Sequence, residues 1–143
     1  MMLKLEETKI QETDFSKEVI VCHPHDPVKD ILQVLKLKNI GSVVVINSNG
    51  QVVGLFSQRD YLIRVPIEKL NLDKENIETY MNANPLKLYL DSNLSGAISA
   101  LATSNSRYIV LIDDDEKPLG VLSQGDVIKY LAKSIKVLES TFS

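Results

Sequence analysis

Two tetrads, Ser57-Gln58-Arg59-Asp60 and Ser123-Gln124-Gly125-Asp126, carry the clearest binding chemistry in the chain. An ionised aspartate only accepts hydrogen bonds, so Asp60 and Asp126 each suit a ligand that offers two vicinal hydroxyls. Ser57 and Ser123 open segments that read as helices, where unpaired N–H groups and the helix dipole favour an anion beside the hydroxyl. Arg59 adds a planar fork of donors, and charge-assisted contacts of this kind contribute roughly 1.5–3 kcal/mol each. The second tetrad has Gly125 in that place. It would have to borrow positive charge from Arg107 or Lys87, or take a less charged ligand, so two unequal sites are expected. Ser-x-x-Asp is also the pattern of a helix capping box, in which serine and acid satisfy each other's unpaired backbone donors. Capping alone leaves Gln58, Arg59 and the repetition of the tetrad less readily explained.

Other reactive groups are sparse. Cys22-His23-Pro24-His25 places three metal-ligating side chains within four residues, but Pro24 and an extended chain would point them apart, and no second ligand cluster follows. No metal is assigned. The run Asp113-Asp114-Asp115-Glu116 falls at a hairpin tip, where charges are simply solvated. The only histidines are His23 and His25, so no nucleophile with a base and an orienting acid can be assembled. The chain is expected to have no catalytic residues and no catalytic cofactor.

The elements that must position the tetrads repeat along the chain. Gly54 to Ile63 and Gly120 to Lys129 align at an offset of 66 positions, the difference between 120 and 54. The same offset maps the apolar stripe Val28, Ile31, Leu32 and Leu35 onto Leu94, Ala97, Ile98 and Leu101, one face of an amphipathic helix in each half. Two short apolar runs follow each helix, Val43 to Ile46 with Val52 to Phe56, then Tyr108 to Ile112 with Leu119 to Leu122. Each pair reads as a hairpin, turned at Asn47-Ser48-Asn49-Gly50 or at Asp113 to Pro118. A second helix opens at Ser57 or Ser123. Arg64 to Tyr80 is charged and weakly periodic, a partly helical connector expected to cross the surface. The polar segment up to Phe15 packs on the module or reaches a partner, and composition alone does not choose.

With 143 residues, 44% apolar and 24% charged, the chain suits a folded domain or two half-size units that need each other. A net charge of −3 with interspersed signs lacks the basic stripe that nucleic acid requires. Apolar runs fall far short of the ~20 residues of a membrane helix, so no membrane partner is expected. One cysteine fits a reducing compartment, and a cytoplasmic location is expected. The stripe Val127, Ile128, Leu131, Ile135 and Leu138 is expected to pack on the sheet and then on a second chain, giving a homodimer.

A repeat of this length, with an amphipathic helix, a hairpin and a closing G-x-x-S-x-x-D, resembles the CBS domain, named for cystathionine beta-synthase. The entry segments Val19 to Val28 and Met81-Asn82-Ala83-Asn84-Pro85 share the likeness, which covers nearly all the chain after Phe15. Where the family usually has a proline before the last apolar residues of the strand ahead of the turn, this chain has Val44 and Val110. The resemblance implies an α/β (α+β) fold of two tandem β-α-β-β-α CBS-type repeats packed with pseudo-two-fold symmetry, a Bateman module. Residues 1–15 would form an N-terminal segment, 16–65 the first repeat, 66–80 the linker, 81–138 the second repeat and 139–143 the tail. It further implies a signal-transduction module that binds an adenosine-containing small molecule, AMP, ADP or ATP, in the cleft between the repeats and acts on an effector protein. Ser57, Gln58, Arg59, Asp60, Ser123, Gln124, Asp126 and Arg107 would bind the ligand, with Val21, Val43 and Lys87. Val21 and Lys87 stand where the family often has threonine or serine near the base, which shifts adenine recognition toward backbone groups. The alternative is a protein-interaction or dimerisation module whose clefts stay empty.

Overall fold

In the computed structural model, residues 4–66, 68 and 74–142 are described, the last six by backbone alone. The chain is mixed α/β and builds two three-stranded sheets, each within its own compact unit. The first repeat runs β1 (Val21–Cys22), α1 (Val28–Lys38), β2 (Ser42–Ile46), β3 (Val52–Ser57) and α2 (Gln58–Arg64). A short helix, α3 (Ile77–Tyr80), precedes the second repeat. That repeat runs β4 (Leu86–Tyr89), α4 (Leu94–Thr103), β5 (Tyr108–Ile112), β6 (Pro118–Ser123) and α5 (Gln124–Phe142). The strand, helix, strand, strand, helix order read from the sequence is thus present twice.

The apolar runs become strands because their branched side chains are stiff and fit a pleated, covered surface. Val43, Val44 and Val45 are buried on β2, as are Ile109, Val110 and Leu111 on β5. β1 pairs parallel with β2, Val21 opposite Val44, and β2 pairs antiparallel with β3, Ser42 opposite Ser57. The intervening turn places Gly50 at φ 80°, a left-handed conformation that glycine adopts without a Cβ clash. In the second sheet β4 pairs parallel with β5, Lys87 opposite Val110, and β6 lies on the other side of β5. The two helical stripes turn inward as their spacing requires. Val28, Ile31 and Leu35 bury into the first core and Leu94, Ala97 and Leu101 into the second, with Leu32 and Ile98 at the margins.

Two segments take places that the sequence did not reveal. Residues up to Glu18 belong to the unit built on the second repeat. Ile10 is fully buried in that unit's core, Phe15 nearly so, and Ser16 bridges Val121 of β6 in antiparallel fashion. The connector behaves alike at its far end. Rather than crossing the surface there, it buries Ile77 and Tyr80 in the first core, and Asn82 bridges Leu55 of β3. The backbone bonds match closely. Ile10 N–H donates to Ser92 O and Gln11 N–H to Leu90 O, while Ile77 N–H donates to Asp26 O and Glu78 N–H to Pro24 O. Residues 67 and 69–73 of the connector, the side chain of Leu138 and the side chains of the tail lie outside the described residues. Among the described residues no helix is long and apolar enough to cross a membrane.

Candidate functional site

Each tetrad sits where the last strand of its sheet turns into a helix. Ser57 ends β3, is 6% exposed and N-caps α2. Its Oγ accepts from Asp60 N–H at 3.2 Å, while Asp60 Oδ2 accepts from Ser57 N–H at 2.8 Å and from Ser57 Oγ at 2.9 Å. The same box closes in the second unit. Asp126 Oδ2 accepts from Ser123 N–H at 2.9 Å and Ser123 Oγ from Asp126 N–H at 3.0 Å. Both aspartates are therefore fixed in orientation by capping, and in each case the cap uses Oδ2.

The glutamines have a structural partner as well. Gln58 N–H donates to Gly41 O at 3.0 Å, and its side-chain amide reaches Ile40 O at 3.5 Å. In the second unit Gln124 N–H donates to Arg107 O at 2.9 Å, and its amide reaches Ser106 O at 3.4 Å. Gly41 and Arg107, like Ile40 and Ser106, are related by the repeat offset. Each glutamine ties the start of its helix to the chain entering the central strand, which accounts for its presence in both tetrads. The first N–H groups of α2 are consequently occupied from within, Gln58 by Gly41 and Asp60 by Ser57. Any anion held here depends on side chains more than on the open helix end expected from the sequence.

The remaining candidates divide by exposure. Arg59 and Arg107 are exposed, as is Lys87 on β4, and Val21 is 42% exposed on β1. The registers place them near their tetrads. Val21 faces Val44, two residues along β2 from the Ser42 that faces Ser57, and Arg107 lies directly before β5 with its carbonyl on α5. Val43 departs from its expected role, because its side chain is 1% exposed and committed to the first core, leaving no surface to line a slot. Gly125 is exposed, and a Cβ there would meet Ser123 Oγ at 3.6 Å, an ordinary contact. Space does not forbid an arginine at this position. Arg64 was not singled out in the sequence. Its Nε lies 3.2 Å from Asp60 Oδ1, and the i, i+4 spacing was the available signal.

The cysteine–histidine segment is dispersed. Cys22 turns inward at 3% exposure, and burial pushes its thiol from an ordinary 9.0 up to about 12, with Asp26 adding to the shift. It stays protonated and unreactive near neutrality. His23 Nδ1 lies 3.9 Å from Asp26 Oδ2 and His25 Nδ1 lies 3.9 Å from Glu78 Oε2, so the rings face different acids. Among the described residues no group of three or more His, Cys, Asp or Glu is placed to hold a metal.

Comparison with known proteins agrees with this arrangement. The CBS domain model matches residues 13–66 and 77–133. An uncharacterized protein of Methanopyrus kandleri is 24% identical over 123 residues, which cover 84% of this chain and 63% of the relative. The chain thus spans somewhat under two thirds of that relative. Among solved structures, the CBS-pair protein CBSX2 of Arabidopsis thaliana superimposes with a TM-score of 0.78 at 23% identity, covering 90% of this chain and 97% of that one. The CBS domain pair of protein MJ0100, solved in complex with 5′-methylthioadenosine and S-adenosyl-L-methionine, gives a TM-score of 0.76 at 18% identity, covering 89% and 98%. With the model matched over both repeats and the same strand-to-helix junction built twice, this chain belongs to the CBS-domain family as a tandem pair.

Proposed function

We propose that the chain is a regulatory module that binds an adenosine-containing small molecule and transmits its presence to an effector protein, without catalysing a reaction. The observation that carries this reading is the state of the two aspartates. In each unit the cap holds Oδ2 and fixes the carboxylate, which leaves Oδ1 outside the cap's hydrogen bonds, although at Asp60 that atom meets Arg64 Nε. A cap and a diol contact are therefore compatible at one residue. That protein MJ0100 binds two adenosine compounds supports the choice of ligand class. AMP, ADP and ATP enter as candidates through Arg59, Arg107 and Lys87, whose exposed charges suit phosphate. A ligand of this kind acts only through its different affinity for two arrangements of the protein.

A thermal-shift series against AMP, ATP, 5′-methylthioadenosine, S-adenosylmethionine and GMP tests the reading. A ligand at a hundredfold excess over its Kd stabilises by about 2.7 kcal/mol, which for this length raises Tm on the order of 5–10 °C. The expected result is such a shift with at least one adenosine compound, none with GMP, and its loss when Asp60→Asn and Asp126→Asn are combined. No shift with any compound at millimolar concentration favours the interaction module with empty clefts. The specific observation on that side is that both tetrads are already satisfied by capping and by the glutamine contacts.

The proposal includes a homodimer. Leu62 and Ile63 of α2 are 77% and 67% exposed, and Ile128 and Ile135 of α5 are 65% and 48% exposed. Leu62 and Ile128 are equivalent under the repeat offset, so the chain offers matched apolar patches, which suit a second copy related by a two-fold axis. Sedimentation equilibrium should give twice the chain mass, and the double substitution Leu62→Asp with Ile128→Asp should give the monomer. A wild-type monomer at 100 micromolar, a concentration on the order at which weak association registers, would remove this part of the proposal.

A further inference from the structure

The two aspartates differ in the residue one turn further along their helices. Asp60 Oδ2 is held by the cap, and Asp60 Oδ1 is also engaged, by Arg64 Nε at 3.2 Å from the last residue of α2. The Asp60 side chain is 14% exposed and that of Arg64 48%, so solvent reaches the pair mainly through the arginine. The repeat offset places Tyr130 where Arg64 stands, and a neutral phenol makes no ion pair. Asp126 is held by its cap through Oδ2, with α5 supplying no cation at i+4.

We infer that Arg64 is an internal competitor for the ligand's hydroxyl pair at Asp60, so that for a ligand without phosphate the two stations fill in order, Asp126 first and Asp60 more weakly because Arg64 must release it. This rests on the proposed reading that both aspartates accept ribose hydroxyls. The competition is graded. Ion pairs at this spacing and exposure shift an equilibrium by about two- to fivefold, enough to spread the response over a wider ligand range without closing the first station. The difference is separate from that between Arg59 and Gly125. One pair of residues sets what phosphate meets, while Arg64 and Tyr130 set what the sugar meets. A ligand without phosphate therefore isolates the Arg64 effect.

Isothermal titration with AMP and with 5′-methylthioadenosine, which carries the same diol and no phosphate, tests the order on the full chain. Asp60→Asn and Asp126→Asn keep an acceptor for the capping N–H, and melting curves establish that each variant folds. The expected result with 5′-methylthioadenosine is two binding events in the wild type, the tighter lost in Asp126→Asn and the weaker lost in Asp60→Asn. Arg64→Gln should strengthen the Asp60 event two- to fivefold with both ligands and leave the Asp126 event in place, and added salt should do the same in part with 5′-methylthioadenosine. With 5′-methylthioadenosine, loss of the tighter event in Asp60→Asn, or an unchanged or weakened Asp60 event in Arg64→Gln, overturns the inference while the nucleotide reading survives. Failure of the wild type to bind either compound rejects the nucleotide reading itself and this inference with it.

Discussion

Ile10→Ala should destabilise the unit built on the second repeat by about 2–5 kcal/mol, the range for truncating a large aliphatic side chain in a closed core. Ile10 lies ten residues from the chain start and some eighty from the repeat it supports, yet it is fully buried beside Leu94, Ala97, Ile109 and Leu111. The segment around it is pinned by backbone bonds, with Thr8 O accepting from Leu94 N–H at 2.7 Å and Leu5 O from Ser95 N–H at 3.2 Å at the start of α4. Thr13, also buried, closes the local turn by donating its hydroxyl to Ile10 O at 2.7 Å. Removing the side chain therefore leaves a cavity whose walls cannot collapse easily. Urea unfolding followed by circular dichroism measures the loss. Were the first fifteen residues a surface tail, the change would stay within about 0.5 kcal/mol, the usual size of an effect away from packed features.

The second large effect is expected at Gly120, where alanine should lower Tm by on the order of 5–10 °C. A Cβ there would lie 2.6 Å from Ser16 O and 2.7 Å from two ring carbons of Phe15. Neither neighbour can yield cheaply. Ser16 is held in its bridge by two backbone bonds to Val121, of 3.1 and 3.0 Å, and Phe15 is packed in the core. Gly54 is the equivalent position in the first unit, and its added Cβ would meet Met81 Sδ at 2.5 Å and Asn82 O at 3.1 Å. A methionine side chain has several rotatable bonds and moves aside, so Gly54→Ala should cost clearly less. Melting curves of both variants decide the point. An equal or reversed order would mean that the entry segment yields as freely as a single side chain, and that the bridge at Ser16 is loose.

The two expectations share a cause that also explains what could be read in advance. Strands and helices announce themselves through side-chain periodicity, and the runs at Val43 to Ile46 and Tyr108 to Ile112 became β2 and β5 with almost the expected limits. The entry segments carry no such signal. Phe15-Ser16 and Met81-Asn82 do the same work, yet their side chains differ because the pairing is made by backbone N–H and C=O, which sequence does not distinguish. The glutamine contacts were hidden for a related reason. Gln58 and Gln124 are visible in the sequence, but their acceptors are the carbonyls of Ile40 and Ser106, eighteen residues earlier in each case.

What the sequence determined by itself was the repeated unit, the inward faces of α1 and α4, the family, and the pairing of each serine with its aspartate. All of these depend on residue type at short or regular spacing, where local sterics and burial act directly. Only the tertiary structure decided that residues up to Glu18 complete the second unit, that Val43 serves the core, that both glutamines anchor their helices, and that Arg64 rests on Asp60 in one unit with no counterpart at Tyr130 in the other. These outcomes turn on which backbone groups meet across long stretches of chain and on which of several available partners an acceptor takes. Such choices are set by the packing of the whole unit, to which no local pattern gives access.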